Sequence, residues 1–482
     1  MASGPIAWLA RRSRLKSAWH WVRDRFQLRE IWQHVLDRRV AKGSWYFGDG
    51  ATLFLLFIVL VVTGAAMTLS YSSASDEAYD SVRQITYGQP LGWFVRGLHY
   101  WSAGLMVVML FFHLFRQILL GGYKSPREGS WLFGVFLFFG VMIMSLLGYI
   151  LRWDERGIYA LRVALNIFYR VPWIGEELVL LVQGGPEIGS ETLSRIYAVH
   201  VIIGPLLLTS LIAYHLYLVV RHSITSPTER ERPVETASEQ RAVYERDALS
   251  KERGEIFYPD TVAKSGLMGA IFLALGIGLT FALGGGRLYP EANLAEPSYP
   301  MEEWWWSWFS ALAALLPPWL ASYFYVGFPL LLFVVLILLP FIDRGPHRGM
   351  RNRPIAVVLV SACVIALLGL SSLRIRSAWT AWPQPTPPPV PEGMVLPPEA
   401  EQGRQLFARY GCNSCHAIDG HGPGVGPDLA DLRETLSYAE MRSYILQPPP
   451  GVAMPPYEDR LSEEELDRLV DFVMVVQTAR QQ

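Results

Sequence analysis

The stretch GWFVRGLHYWSAGLMVVMLFFHLFRQI, residues 92–118, decides how the rest of the chain is read. It is apolar over a length that crosses the hydrocarbon core of a bilayer, yet it carries two histidines, His99 and His113, 14 residues apart. Histidine inside a span is costly and marks a functional position. A second stretch, IYAVHVIIGPLLLTSLIAYHLYLVV at 196–220, repeats the pattern with His200 and His215, 15 residues apart. At 1.5 Å per residue the separations are about 21 and 22.5 Å, and at 100° per residue each pair stays roughly on one helix face.

Further apolar stretches near residues 51–71, 131–151, 264–283, 321–341 and 355–373 bring the candidate spans to seven. An eighth, Trp304–Leu316, is only 13 residues long and ends at Pro317-Pro318, which favours a buried or interfacial helix. The composition agrees: 51% of the 482 residues are hydrophobic and 18% charged, too apolar for an ordinary soluble protein. The net charge of -1 says little, because the charges are segregated. Lys and Arg crowd the N-terminal segment and recur after the second, fourth and sixth spans (Lys124, Arg127; Arg230, Arg232; Arg344, Arg348, Arg351, Arg353). The positive-inside rule therefore predicts a cytoplasmic N-terminus, and seven crossings carry the C-terminus to the opposite side; eight would not. The first apolar run then acts as an uncleaved signal anchor.

The second and fourth spans run in the same direction, so His99 can meet His200 near the positive side and His113 can meet His215 near the cytoplasmic side. Each pair can clamp one haem iron. Gly50 and Gly64 in the first span, and Gly134 and Gly148 in the third, are also 14 apart. A missing side chain lets a flat macrocycle lie against a helix backbone, although such glycines taken alone are ordinary helix-packing residues. Arg96 and Arg116 are candidate partners for haem propionates, with interfacial snorkelling as the plainer reading.

Residues 377–398 are proline-rich and read as a semi-rigid spacer. Beyond it, Cys412-Asn413-Ser414-Cys415-His416 is a C-x-x-C-H sequence, in which two thiols bind haem vinyls and the adjacent imidazole binds iron. A zinc or redox-dithiol reading lacks further ligands nearby, apart from His421. Met454 is the candidate sixth ligand, a His/Met pair suited to electron transfer. Gly426-Pro427-Asp428-Leu429 is placed so that the Pro427 carbonyl can accept the His416 ring N–H. Ser462 with Glu465 opens a final helix as a capping box. The third cysteine, Cys363, lies in an apolar run and reads as a buried small hydrophobe.

With these residues assembled, the chain resembles cytochrome b of the quinol-oxidising complexes. The first four spans are similar to cytochrome b6, through Gly64-Ala65-Ala66-Met67-Thr68, Trp93-Phe94-Val95-Arg96, Gly121-Gly122-Tyr123-Lys124-Ser125-Pro126-Arg127-Glu128, Trp153-Asp154 and the 15-residue histidine spacing. The last three resemble subunit IV of the b6f complex, through Leu339-Pro340-Phe341-Ile342 and Arg353-Pro354. The C-terminal domain resembles class I cytochromes c. The resemblance implies an all-α protein: a four-helix di-haem core, three more spans and an all-α cytochrome c domain. The expected divisions are a basic N-terminal segment at 1–50, the b6-like domain at 51–225, a linker and subunit IV-like domain at 226–376, the spacer at 377–398 and the monohaem domain at 399–482.

In this family a P-E-W-Y segment lines the quinol-oxidation site, and its glutamate is thought to accept a quinol proton. Here the matching stretch is Met301-Glu302-Glu303-Trp304-Trp305, so Glu303, Trp304 and Trp305 are the candidate catalytic residues, with Glu302 in the proline's place. The family's b6 branch also carries a cysteine for an extra haem; Phe47 occupies that place, which predicts no covalent haem there. The cytoplasmic quinone pocket is expected near His215, where Asp37, Arg221 and His222 are candidates for proton delivery, with a solvated surface as the equally good reading of each. The resemblance implies two non-covalent b haems, one covalent c haem and a quinone. It implies a quinol:cytochrome c oxidoreductase subunit coupled to proton translocation, in a bacterial inner membrane. The partners it implies are a Rieske iron–sulfur protein, a cytochrome acceptor, membrane lipid and a second copy of the chain, with no nucleic acid. A passive electron conduit for another quinone-linked enzyme, and a transporter with a tethered cytochrome, are the competing readings.

Overall fold

In the computed structural model, each apolar stretch becomes a helix. The structure describes residues 48–222 (except 170), 255–292, 303–376 (except 317 and 346) and 387–480 with short gaps at 391–393, 421–425, 431, 433–435, 450–453, 455 and 459. It also describes isolated positions nearer the N-terminus and within 236–242. Phe47, Asp37, Glu302 and His421 lie outside the described residues.

Among the described residues, seven helices are long and apolar enough to cross a membrane: Asp49–Thr68, Gly92–Leu119, Glu128–Ile150, Ser190–His222, Phe257–Leu283, Tyr323–Ile342 and Pro354–Arg374. They match the seven expected spans. Trp304–Leu316 forms a three-residue turn and a short helix, Ser307–Ala314, and does not span. The only strand pairing described joins Arg39–Val40 to Glu255–Ile256, so the protein is all-α in architecture.

The fourth span is not a uniform α-helix. Ala198–Ile203 is a π turn, and the Gly204 N–H reaches back five residues to the Val199 carbonyl. Pro205 follows; it has no N–H to give and crowds the preceding turn, so the ladder widens there. One residue is absorbed in the widening. That reconciles the unequal spacings: 15 residues with a π turn between His200 and His215 keep the register of the 14 α-helical residues between His99 and His113.

The first four spans surround an apolar centre of Leu56, Phe57, Leu105, Met106 and Leu208, with Phe272 of the fifth span packed against it. Met106 stands halfway along the chain between His99 and His113. At one end a lid of short helices, Ala78–Arg83, Glu155–Tyr169 and Gly175–Gln183, closes over Ile150, Trp153, Leu165 and Leu193.

At the other end, cationic side chains satisfy the carbonyls that end the second span. Arg353 Nη1 donates to the carbonyls of Ile118 and Leu119 at 2.6 and 3.0 Å. Arg348 donates to Gly121 O and Ser125 O at 3.0 and 2.5 Å. Asp343 accepts from Lys124 Nζ and Tyr123 Oη, both at 2.6 Å, and from Arg353 at 2.9 Å. The last two spans are thereby fastened to the loop after the second.

Cys363 departs from its expected burial and is exposed on the seventh span. Only 6% of that span's apolar window is buried inside the protein, and most of its remaining side chains, Cys363 among them, are left for a bilayer to cover.

The C-terminal domain packs its own core of Phe407, Ile418, Met441, Leu466, Val470 and Phe472. Its last helix, Glu463–Arg480, opens as the sequence predicts: Ser462 N donates to Glu465 Oε2 at 3.1 Å, and Glu465 N donates to Ser462 Oγ at 3.2 Å.

Candidate functional site

The four glycines and four histidines meet one to one. A methyl group added at Gly64 would stand 3.3 Å from His99 Cε1, and at Gly148 2.7 Å from His200 Cε1. At Gly50 it would stand 3.6 Å from His113 Cε1, and at Gly134 3.5 Å from His215 Cε1. Each ring therefore turns its Cε1 edge toward a bare stretch of the neighbouring helix. His99 and His200 face each other with ring centres 6.4 Å apart. Two metal–imidazole bonds of about 2 Å each, plus roughly 1 Å from each nitrogen to its ring centre, span about the same distance. His99 Nδ1 lies 2.9 Å from Thr63 Oγ1, whose own hydroxyl donates to Val59 O at 2.6 Å. The Thr63 proton is committed, so Nδ1 is the donor to it, and Nε2 keeps the lone pair that an iron takes. The residues present fit a haem at this level.

The same cavity that exposes His99, His200, Gly64 and Gly148 is lined by Arg96, Tyr100, Arg152, Glu303 and Trp305. Glu303 is buried at 7% exposure, at the foot of the turn Trp304–Trp306. Its Oε2 accepts from Tyr100 Oη at 2.8 Å and its Oε1 from Arg152 Nη1 at 2.8 Å. Arg152 also reaches Asp154, which is fully buried and accepts from Gly157 N and Tyr289 N. Burial opposes the charge on Arg152, but Asp154 and Glu303 outweigh it and its pKa rises. A cation is thus held against Glu303 on one side and a phenol on the other. Trp305 is buried among Val107, Leu110, Phe138 and Met142 and walls the cavity. Trp304 is 40% exposed and does not line the cavity, so the adjacent tryptophans have different surroundings.

Arg96 is buried at 6% and donates from Nη1 to Gly286 O at 3.2 Å, on the cavity wall. Arg116 places Nε and Nη2 on Asp49 at 2.6 and 2.9 Å, so much of its guanidinium is committed to a carboxylate of the chain itself. Asp49, Tyr100 and Arg152 were not singled out from the sequence. A carboxylate beside Gly50 at the mouth of a span, and an arginine directly before Trp153-Asp154, are the signals that mark two of them.

In the C-terminal domain, Cys412–Ser414 is a single tight turn that sets His416 just beyond it. His416 Nδ1 lies 3.0 Å from Pro427 O. A methyl group at Gly426 would stand 2.8 Å from the same ring, so only glycine lets this strand of chain pass the imidazole. Cys412 and Met454 both pack against the domain's core cluster. These residues fit a covalent haem with an imidazole ligand whose Nδ1–H is engaged by a carbonyl.

Known proteins resemble both parts of the chain. Residues 38–223 match the family model described as cytochrome b/b6/petB, and residues 398–473 match the one described as cytochrome C oxidase, cbb3-type, subunit III. Cytochrome b6 of Porphyra purpurea is 38% identical over 180 residues, covering 37% of this chain and 83% of that protein. Cytochrome b of Allochromatium vinosum is 30% identical over 341 residues, covering 68% of this chain and 80% of that protein. A solved structure titled Hyperthermophilic respiratory Complex III superimposes with a TM-score of 0.63 at 24% identity, covering 74% of this chain and 91% of that one; the likeness is one of fold.

Proposed function

This chain belongs to the cytochrome b/b6 family, with a cytochrome c domain at its C-terminus, and on that premise we propose that it is the cytochrome b and c subunit of a quinol:cytochrome c oxidoreductase. The observation that carries the reading is that the Glu303 carboxylate and the His99–His200 pair open on one cavity. A proton acceptor and an electron-acceptor site side by side are what quinol oxidation needs.

The proposed ligands are His99 with His200 and His113 with His215 for two b haems, and His416 with Met454, with thioethers to Cys412 and Cys415, for one c haem. When bound, the haems supply one-electron carriers, the b pair along the span axis and the c haem outside the membrane. The chain's own residues do the rest. Glu303 takes the quinol proton at a carboxylate oxygen. Arg152 and Tyr100 orient that carboxylate, and Trp305 with its apolar neighbours keeps bulk water from the reacting oxygen. Arg96 is placed to pair with a propionate.

The proposed arrangement puts Glu303 and the c domain on the positive side of a bacterial inner membrane, with the N-terminus cytoplasmic and the five sequence divisions as drawn above. A second copy of the chain and a cytochrome acceptor complete it. Splitting two quinol electrons needs a high-potential one-electron acceptor, which in this family is a Rieske cluster held by two cysteines and two histidines. Two of this chain's three cysteines serve the C-x-x-C-H motif, so a separate Rieske protein is proposed as partner.

Quinol oxidation by the chain, purified with and without its co-purifying subunits, tests the reading. Full-rate reduction of the c haem by the isolated chain refutes Rieske dependence and leaves the conduit reading. Glu303→Gln in the complete assembly should cut the rate at least tenfold with haem spectra intact, about 1.4 kcal/mol of barrier.

A further inference from the structure

The two histidine pairs differ in what stands behind their rings. Behind His99 is a hydroxyl, Thr63 Oγ1, at 2.9 Å. Behind His113 is a carboxylate: Asp49 Oδ2 lies 3.1 Å from His113 Nδ1, close although not aligned as a linear hydrogen bond. Asp49 is fully buried at the start of the first span. Arg116 grips both its oxygens, and the Gly50 N–H adds a third donor at 2.8 Å. The carboxylate cannot swing away from the ring without breaking these bonds.

A buried carboxylate in a span is expensive unless the site uses it. Arg116 lowers that cost and fixes where the negative charge sits, one oxygen toward the arginine's Nε and the histidine together. A helix-capping role needs neither the arginine nor the contact with His113.

Resting on the reading of His113 and His215 as one iron-binding pair, we infer that Asp49 is a positioning residue that lowers the reduction potential of the b haem held at that end. A carboxylate behind an imidazole makes its far nitrogen a stronger donor, and although Arg116 offsets part of the charge, it is the oxygen of the pair, Asp49 Oδ2, that faces the ring; both favour the ferric state. The hydroxyl behind His99 brings no charge. Asp49 is thereby one of the charges by which the two ends of the bundle, alike in their glycines and histidines, differ; Arg96, Arg152 and Glu303 stand at the other end.

The test is a redox titration of the b-haem absorption in the holoprotein. Asp49→Asn keeps the size and removes the charge. One of the two b components should move positive by at least tenfold in its one-electron equilibrium, 59 mV, while the other stays within its native range. Asp49→Glu keeps the charge but moves it off the ring by one methylene, and should shift the same component in the same direction by less. Either variant assembling with a native titration curve overturns the inference. So does failure of both to hold haem, which makes Asp49 a folding residue only. Failure of the underlying reading looks different: the native protein then shows no second b component, or His113→Ala and His215→Ala both leave two.

Discussion

Arg152 Nη1 donates to Glu303 Oε1 at 2.8 Å, joining side chains 151 residues apart in the chain. The bond ties the end of the third span to the turn that precedes the short helix Ser307–Ala314. Both groups are under 10% exposed, so the pair is screened little by water.

Breaking that pair from one side should be costly. Arg152→Gln leaves a buried carboxylate with Tyr100 as its remaining donor, a loss of about 3–5 kcal/mol. The double variant with Glu303→Gln should recover part of it, with a coupling of about 1–3 kcal/mol. Thermal loss of the b-haem Soret band in detergent measures all four corners of the cycle. Strict additivity would show that the two side chains do not act together.

Haem stoichiometry follows from the proposed ligand pairs. Reduced pyridine spectra of the purified chain should give two b haems for each c haem. His200→Ala and His215→Ala should each remove one b haem and leave the c haem. A native ratio of three to one or one to one contradicts the pairing.

The glycines should rank by the room they leave. Gly148→Ala puts a methyl group 2.7 Å from the His200 ring and should lower b-haem content toward half. Gly50→Ala, at 3.6 Å, should retain nearly all of it. Equal effects at the two positions would mean that close approach to the histidines is not what these glycines provide.

Covalent haem should reside in residues 397–482 alone. No cysteine precedes Cys363, and Cys363 has no C-x-x-C-H context. Proteolysis within the proline-rich stretch should carry all haem staining away with the C-terminal fragment on a denaturing gel. Stain left on the membrane fragment contradicts this.

Asp343 anchors the sixth and seventh spans to the loop at Tyr123 and Lys124. Burial raises its pKa, but the Lys124 and Tyr123 hydrogen bonds and the Lys124 and Arg353 charges lower it further, so the net shift is downward from 3.8. A depressed carboxylate contributes stability that is present above its unfolded pKa and lost as pH falls through the folded one. Thermal stability should therefore hold near neutrality and decline below pH 3.8 as this group protonates. Asp343→Asn should lose about 1–3 kcal/mol at neutral pH, reduced from a fully buried pair because a third of the side chain is exposed. Its acid decline should be shallower. A variant as acid-sensitive as the native chain would place the titrating group elsewhere.

What the sequence determined by itself was everything written along one axis. Span positions follow from local apolar length, the proposed haem attachment from five adjacent residues, and the histidine and glycine spacings from helical rise and turn. The structure then set each glycine against one histidine, and it resolved the 14 and 15 residue spacings with the π turn at Ala198–Ile203, beside Pro205. Tertiary structure alone decided the partners of Glu303, since Tyr100 and Arg152 reach it from 203 and 151 residues away. It alone brought Asp49 to His113 and Arg116, gave Arg348 and Arg353 their carbonyls, and left Cys363 on an outward face. Hydropathy and periodicity report which face of a helix is apolar. They carry no information on which other helix meets it, and a buried charge is defined by that neighbour.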